Sequence, residues 1–266
     1  MHLPLGLFLG LVIGGLAWRV GALTPSGALA AAITGGVIFG WGGLEWAVLL
    51  LAFFVSSSVL SRAFARRKAD LAEKYSKGER RDWGQVLANG GLGALLVLAS
   101  AVLIGEAWPW VAYAGAMAAV NADTWATELG VFSPRPPRLI TTGKPVERGT
   151  SGGITLLGYL AALAGSALIG GLAAWMGKSP QPAAIWVAVT LAGLAGSTFD
   201  SWLGGSVQAI YHCPRCGKET ERSPLHTCGT PTVFLRGWRW LDNDWVNFLC
   251  SMVGALAAVG LWVLLA

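Results

Sequence analysis

Charge is what this sequence has least of. Asp, Glu, Lys and Arg make up 12% of its 266 residues, about half the roughly 25% found in a soluble domain. That shortfall excludes water as the solvent around most of the chain. The opening apolar stretch contains Arg19 and lacks a small-residue cleavage site, so it reads as a retained helix and not a signal peptide. There is no fixed-period repeat of the roughly 20–50 residues that marks a solenoid, and no loop with the Lys and glycine order of a Walker A motif. Cysteine is scarce too: there are 4, and three of them fall in one short segment.

What is present is apolar. Hydrophobic residues make up 54% of the chain, with 37 glycines and 14 tryptophans. Several stretches approach the roughly 20 residues that cross a bilayer. The pattern predicts an all-α, polytopic membrane protein of about eight helices: Leu3–Ala22, Ser26–Trp41, Leu44–Leu60, Gln85–Ile104, Trp108–Thr127, Gly153–Met176, Ala183–Gly205 and Trp245–Leu265. Residues 1–266 form a single membrane domain on this reading, with a polar loop over 206–241 inserted between the seventh and eighth spans. The many glycines within the spans suit close helix packing.

The charges test this count. Alternating eight spans puts 18 of the 19 Lys and Arg on one side and only Lys178 on the other. The positive-inside rule makes the crowded side cytoplasmic and puts both termini outside, as expected for a protein of the cell's inner membrane. Twelve of the 14 acidic residues share that side, Glu45 and Glu106 excepted. The formal charge of +5 is thereby explained by topology without nucleic acid.

The third polar loop carries Cys213-Pro-Arg-Cys216-Gly, then His226-Thr-Cys228-Gly. Two knuckles, each followed by glycine, supply four soft ligands to one tetrahedral zinc ion. Four protein ligands fill the shell, so the zinc is structural. The alternatives are a disulfide pair, which a reducing cytoplasm disfavours, or free thiols. Cys250 lies within the last span and reads as an ordinary buried cysteine.

Four more segments place polar chemistry at the cytoplasmic face. The run from Asn121 to Gly130 carries Asp123 and Glu128 into the end of the fifth span, where ionisable groups face a cavity or a partner. On an ideal helix Asn121, Thr124 and Glu128 share one face and Asp123 and Thr127 another. Both carboxylates meet one ligand only if the helix bends or unwinds. The stretch from Gly143 to Gly153 holds Lys144, Arg148, Gly149, Thr150, Ser151 and Gly152 at the entry to the sixth span. Amides at a helix start suit phosphate, although a plain helix cap would look the same. Asp200 and Ser201 end the seventh span, and Asp242, Asn243, Asp244 and Asn247 open the eighth. Asp242 or Asn243 is open to a capping role, whereas Asp244, Asn247 and Ser251 are spaced to share a face. Hard oxygen donors of this kind suit Mg²⁺, which also binds substrate phosphates. Arg81 and Asn89 flank the fourth span's start and can meet phosphate or nucleotide.

Three of these motifs resemble a known family. Asn121-Ala-Asp-Thr-Trp-Ala-Thr-Glu-Leu-Gly, Lys144-Pro-Val-Glu-Arg-Gly-Thr-Ser-Gly-Gly and Leu241-Asp-Asn-Asp-Trp-Val-Asn are similar to the multispanning family that contains transmembrane protein 19 and plant phytyl-phosphate kinase. The resemblance runs from about Leu5 to Ala257. It implies a kinase that converts a prenyl monophosphate to the diphosphate with a nucleoside triphosphate, CTP or ATP. A more distant similarity links Asp123, the 144–153 loop, Asp200 and Asp242–Asp244 to the CTP-dependent dolichol and phytol kinases and to phosphatidate cytidylyltransferase.

The combined expectation is phosphoryl transfer to a lipid phosphate at the membrane. Lys144, Arg148 and the 149–152 segment hold the triphosphate, with Arg81 and Asn89 nearby. Asp123, Glu128, Asp200, Asp242 and Asp244 hold Mg²⁺, with Asn243 and Asn247 in support. The rivals are a cytidylyltransferase making a CDP-lipid, an ion-coupled transporter, and a scaffold whose zinc loop recruits a partner.

Overall fold

The computed structural model describes residues 3–64, 74, 80–177 and 179–266, so Lys178 and most of the first basic loop lie outside the described residues. Helices dominate: α1 (Leu3–Arg19), α2 (Pro25–Phe64), α3 (Trp83–Val102), α4 (Trp108–Gly130), α5 (Leu156–Met176), α6 (Pro182–Ser206) and α7 (Asn243–Leu265). Among them α2, α3, α5, α6 and α7 are long and apolar enough to cross a membrane. The eight expected spans are all helical, with shifted boundaries. The second and third form the 40-residue α2, broken at Gly43, where φ 78 and ψ −163 turn the chain back on itself. A residue with a Cβ is strained in that conformation. The sixth span starts later than expected, at Leu156 rather than Gly153, because the Thr155 hydroxyl caps it by accepting from the Gly158 amide at 2.9 Å.

Small residues let these helices touch through their backbones. Cβ atoms added to Gly6, Gly10 and Gly14 of α1 would collide with the backbone of 28–40 on α2. α4 is the central helix, buried continuously from Val111 to Ala122 and packed against α2, α3, α5, α6 and α7. A Cβ on Gly115 would overlap the Gly254 carbonyl and Ala258 of α7, and one on Gly193 or Gly196 of α6 would overlap Ala118 or Ala119 of α4. Leu5, Phe8, Leu29, Val59, Leu95 and Leu256 face outward, where lipid covers them.

The polar segments gather at one end of the bundle. There Arg81 exchanges backbone hydrogen bonds with Ala22 and Thr24, and the α2 terminus reaches the end of α1 through an Arg62 hydrogen bond to the Val20 carbonyl. Both described termini lie at the other end, Leu3 beside Gly40 and Ala266 hydrogen-bonded to Gln181.

The polar loops add short strands to an otherwise helical protein. β1 (Arg138–Leu139) pairs antiparallel with β2 (Gly153–Ile154). In the 206–241 loop, β3 (Ile210–Cys213), β4 (Lys218–Thr220) and β5 (Val233–Arg236) form an antiparallel sheet in the order β4-β3-β5. Trp202, Trp238, Trp240 and Trp245 are partly exposed around this sheet, as indoles are where a membrane meets water.

The glycine contacts make a prediction. Gly115→Ala should lose about 1–3 kcal/mol, as overpacking does, when unfolding is followed in detergent. Gly15→Ala, whose Cβ meets nothing within 4 Å, should match the parent or gain up to about 1 kcal/mol of helix propensity. Equal stability of the two variants would contradict the packing at α4 and α7.

Candidate functional site

One cavity of about 350 Å³ collects the polar residues. Its wall includes Arg81, Asn89, Asp123, Glu128, Arg148–Gly153, Asp200, Asn243 and Asn247, contributed by segments far apart in the chain. Antiparallel packing makes this possible. The C-terminal ends of α4 and α6 and the N-terminal ends of α3, α5 and α7 all arrive at the same end of the bundle.

Helix α4 runs unbroken through Gly130, so its two carboxylates diverge. Asp123 turns toward α6, accepting a hydrogen bond from the Ser197 hydroxyl at 3.4 Å. Asp200 of α6 lies in the electrostatic field of Asp123, and its buried Oδ2 has no hydrogen-bond partner among the described residues. Glu128 turns toward α2, accepting from Ser61 at 2.8 Å, and faces the charge of Arg81. Arg81 is itself held by Ser57 at 2.9 Å and Ser58 at 3.1 Å, over the rings of Phe53 and Phe54. Burial pushes its guanidinium down to about 10, with Glu128 opposing, so it stays charged at neutral pH. Asn121 is structural, bonding Gly165 of α5 and Ser56 of α2.

The glycine-rich segment is a turn between strands and not the first turn of a helix. Thr150 bonds back to Glu147 and Gly153 to Thr150, and Gly149 and Gly152 have φ of 78 and 80. Gly152 sits against the Gly205 backbone, where a Cβ has no room. The amides of Gly149, Ser151 and Gly152 donate to no acceptor among the described residues. Successive free amides in such a turn form a concave anion site. Arg148 lines the same cavity while donating to the Ser133 carbonyl at 2.8 Å.

Three expected residues lie off the cavity wall. Lys144 is exposed on the β1–β2 connection. Asp242 is the α7 N-cap, its Oδ1 accepting from the Asp244 and Trp245 amides. Asp244, in the first turn of α7, is half-buried outside the cavity wall. Glu221, by contrast, lines the cavity without having been singled out in the sequence. It accepts from Ser151 at 2.6 Å and from Gln208 at 3.0 Å. Its only signal in the sequence is an acid just beyond the first cysteine knuckle.

Cys213, Cys216, His226 and Cys228 form a compact cluster of the kind that can hold a metal ion, with candidate ligand atoms all within 4.8 Å of one another. The Cys213–Cys228 sulfurs are 3.6 Å apart, and His226 Nδ1 is 3.6 Å from Cys216 and 3.3 Å from Cys228. A tetrahedral ion with metal–sulfur bonds of about 2.3 Å and metal–nitrogen bonds of about 2.0 Å has edges of about 3.8 and 3.5 Å. The donor set therefore fits. Hydrogen bonding with Thr230 and His226 holds the Cys228 thiol down to about 5, while hydrogen bonding with Cys228 pushes the Cys216 thiol up to about 11, so Cys228 is the readier of the two to supply a thiolate.

A membrane helical bundle with a polar cavity at one end and a small sheet bearing a Cys/His cluster beside it defines the class. The chain belongs to the family described as Integral membrane protein DUF92, which matches residues 8–255, and this is the family that the motifs resemble. It is 35% identical to Protein PGR of Arabidopsis thaliana over 244 residues, 82% of this chain and 83% of the relative. It is 34% identical over 237 residues to an uncharacterized membrane protein of Methanocaldococcus jannaschii, covering 89% and 84% of the two chains. Protein VTE6, chloroplastic, of Arabidopsis thaliana is 25% identical over 245 residues, 90% of this chain and 65% of that protein. No solved structure matches.

The metal cluster yields a prediction. The purified protein should carry about one tightly held metal ion per chain, as a closed four-ligand site does, and Cys216→Ser should lose it in elemental analysis. Full occupancy in that variant would contradict the ligand assignment.

Proposed function

We propose that this protein is a membrane-embedded kinase that transfers the γ-phosphoryl group of a nucleoside triphosphate, CTP or ATP, to a prenyl monophosphate of the phytyl- or geranylgeranyl-phosphate type. The observation that carries the reading is a single cavity lined both by Asp123 and Asp200 and by an anion-accepting turn with Arg148. Carboxylates and phosphate donors sharing one wall suit a substrate that brings anionic oxygens together with a cation. Asp123 and Asp200 are the residues that would hold Mg²⁺, which supplies charge neutralisation when bound. Asn243 and Asn247 would add neutral oxygens beside it.

On this reading the amides of Gly149, Ser151 and Gly152 and the Arg148 guanidinium orient the triphosphate. Arg81, fixed by Ser57 and Ser58, neutralises phosphate charge from the opposite wall, with Asn89 beside it. Glu128 keeps Arg81 in place. The acceptor is an already ionised phosphate oxygen, so no side chain need remove a proton. That oxygen bonds to the γ-phosphorus as the bond to the β-bridging oxygen breaks, giving lipid diphosphate and nucleoside diphosphate. Catalysis is then positioning and charge neutralisation. The prenyl tail lies in lipid along the apolar helices while its phosphate reaches the cavity.

The cavity end faces the cytoplasm on the charge asymmetry of the sequence, which puts both termini outside the inner membrane. A reducing compartment suits the Cys213, Cys216, His226 and Cys228 cluster as a structural zinc site.

The test supplies a prenyl monophosphate, Mg²⁺ and nucleotide labelled either at the γ-phosphate or in the base, and follows the lipid fraction. γ-Label in the lipid with release of nucleoside diphosphate is the expected result. Base label in the lipid with pyrophosphate release would make the protein a cytidylyltransferase. Neither label with any lipid phosphate would overturn group transfer and favour a transporter or scaffold.

A further inference from the structure

The Cys/His sheet reaches the cavity through Glu221. Glu221 directly follows β4, whose register on β3 pairs Cys213 with Lys218 and Tyr211 with Thr220. The position of Glu221 is therefore set by the strand that carries the first metal ligand and by the Cys216-Gly217 turn. From there its Oε1 receives the Ser151 hydroxyl at 2.6 Å and the Gln208 amide at 3.0 Å. The first distance lies within the roughly 2.5–2.7 Å of strong hydroxyl-to-carboxylate bonds. Ser151 is the middle of the turn that presents the free amides of Gly149, Ser151 and Gly152. Gln208 is buried and closes the end of α6, against which Gly152 packs.

A second tie runs alongside. The Glu221 amide donates to the Lys74 carbonyl at 2.9 Å, and the Lys74 ammonium pairs with Glu147 at 2.7 Å, next to the same turn. The sheet also grips α6 directly through Arg236, whose guanidinium donates to the Gly204 carbonyl. The metal-binding module is thus fastened to the loop and to the helix end that together form one wall of the cavity.

We propose that Glu221 is a positioning residue through which the Cys/His metal module holds the 149–153 turn in its phosphate-accepting form, so that metal in the module controls the loop in the cavity. The proposal rests on the phosphate-binding role of that turn. A metal site that looked only structural becomes a control point: losing the metal frees β4, releases Glu221 from Ser151, and lets the turn relax. Such a coupling makes phosphate affinity depend on an ion that never meets the substrate.

The experiment is amide hydrogen exchange of Thr150 and Gly153, the hydrogen-bonded amides of the turn, in the full-length protein in nanodiscs, with bound metal measured on the same samples. Glu221→Ala should speed exchange there about tenfold or more, the size expected when a hydrogen bond to a charged group is lost, while the bound metal stays at the wild-type level. Glu221→Gln keeps a carbonyl acceptor for Ser151 and should restore most of the protection. Cys216→Ser should lose the metal and speed exchange in the same residues. Unchanged exchange in Glu221→Ala, or in Cys216→Ser after metal loss, would overturn the coupling. Where the variants turn over, the nucleotide KM should rise more than kcat falls; the reverse would also contradict a loop-positioning role. Exchange is read without any reaction, so absence of phosphoryl transfer in the wild type would remove the proposed activity and leave the coupling decided on its own data.

Discussion

Two half-buried carboxylates at the ends of membrane helices set the terms for everything around them. Asp123 and Asp200 approach each other from α4 and α6, with one long hydrogen bond from Ser197 to Asp123 and, among the described residues, no hydrogen-bond partner for Oδ2 of Asp200. Charge so placed within a span is costly unless a partner or a cavity receives it. Here the receiving volume is the cavity, which also presents Arg81, faced by Glu128, and Arg148 beside glycine-turn amides that donate to no acceptor among the described residues. Carboxylates and anion donors around one volume form an arrangement that a metal-bound phosphate would complete.

The helices hold this geometry by touching at glycine and alanine. Because α4 packs backbone to backbone against α6 and α7, the Asp123 side chain has little freedom to retreat from Asp200. Lipid offers no hydrophobic drive for helices to associate, so close van der Waals contact carries much of the load. The bundle is the floor of the site, and the polar loops lie over it.

Much of this was legible in the chain. Spans are long-period features, and charge asymmetry constrains how many there are, so eight helical segments could be read, including the pair that meets at Gly43. The acids of α4 and α6 stood out because a span tolerates few of them. Other features depend on register and were not legible. A one-residue difference at the start of α7 puts Asn243 on the cavity and leaves Asp242 as the cap. Thr155 moves the start of α5 past the glycine turn, which makes that turn part of a small strand pair. Glu221 reaches Ser151 only because β4 pairs with β3 in one register, and nothing local to Glu221 announces it. Lys144 looked like a phosphate ligand by its neighbours in sequence, yet the β1–β2 connection carries it to the surface.

The most direct test of the cavity is the binding of a divalent cation, read by the spin resonance of Mn²⁺ added to the purified protein in nanodiscs with no nucleotide or lipid substrate. The account predicts saturable Mn²⁺ binding that Mg²⁺ displaces, weakened about a hundredfold or more in Asp200→Asn, as removal of a ligating carboxylate would do, with the metal of the cysteine cluster retained. Identical Mn²⁺ binding by the wild type and Asp200→Asn, or none by the wild type, would contradict it.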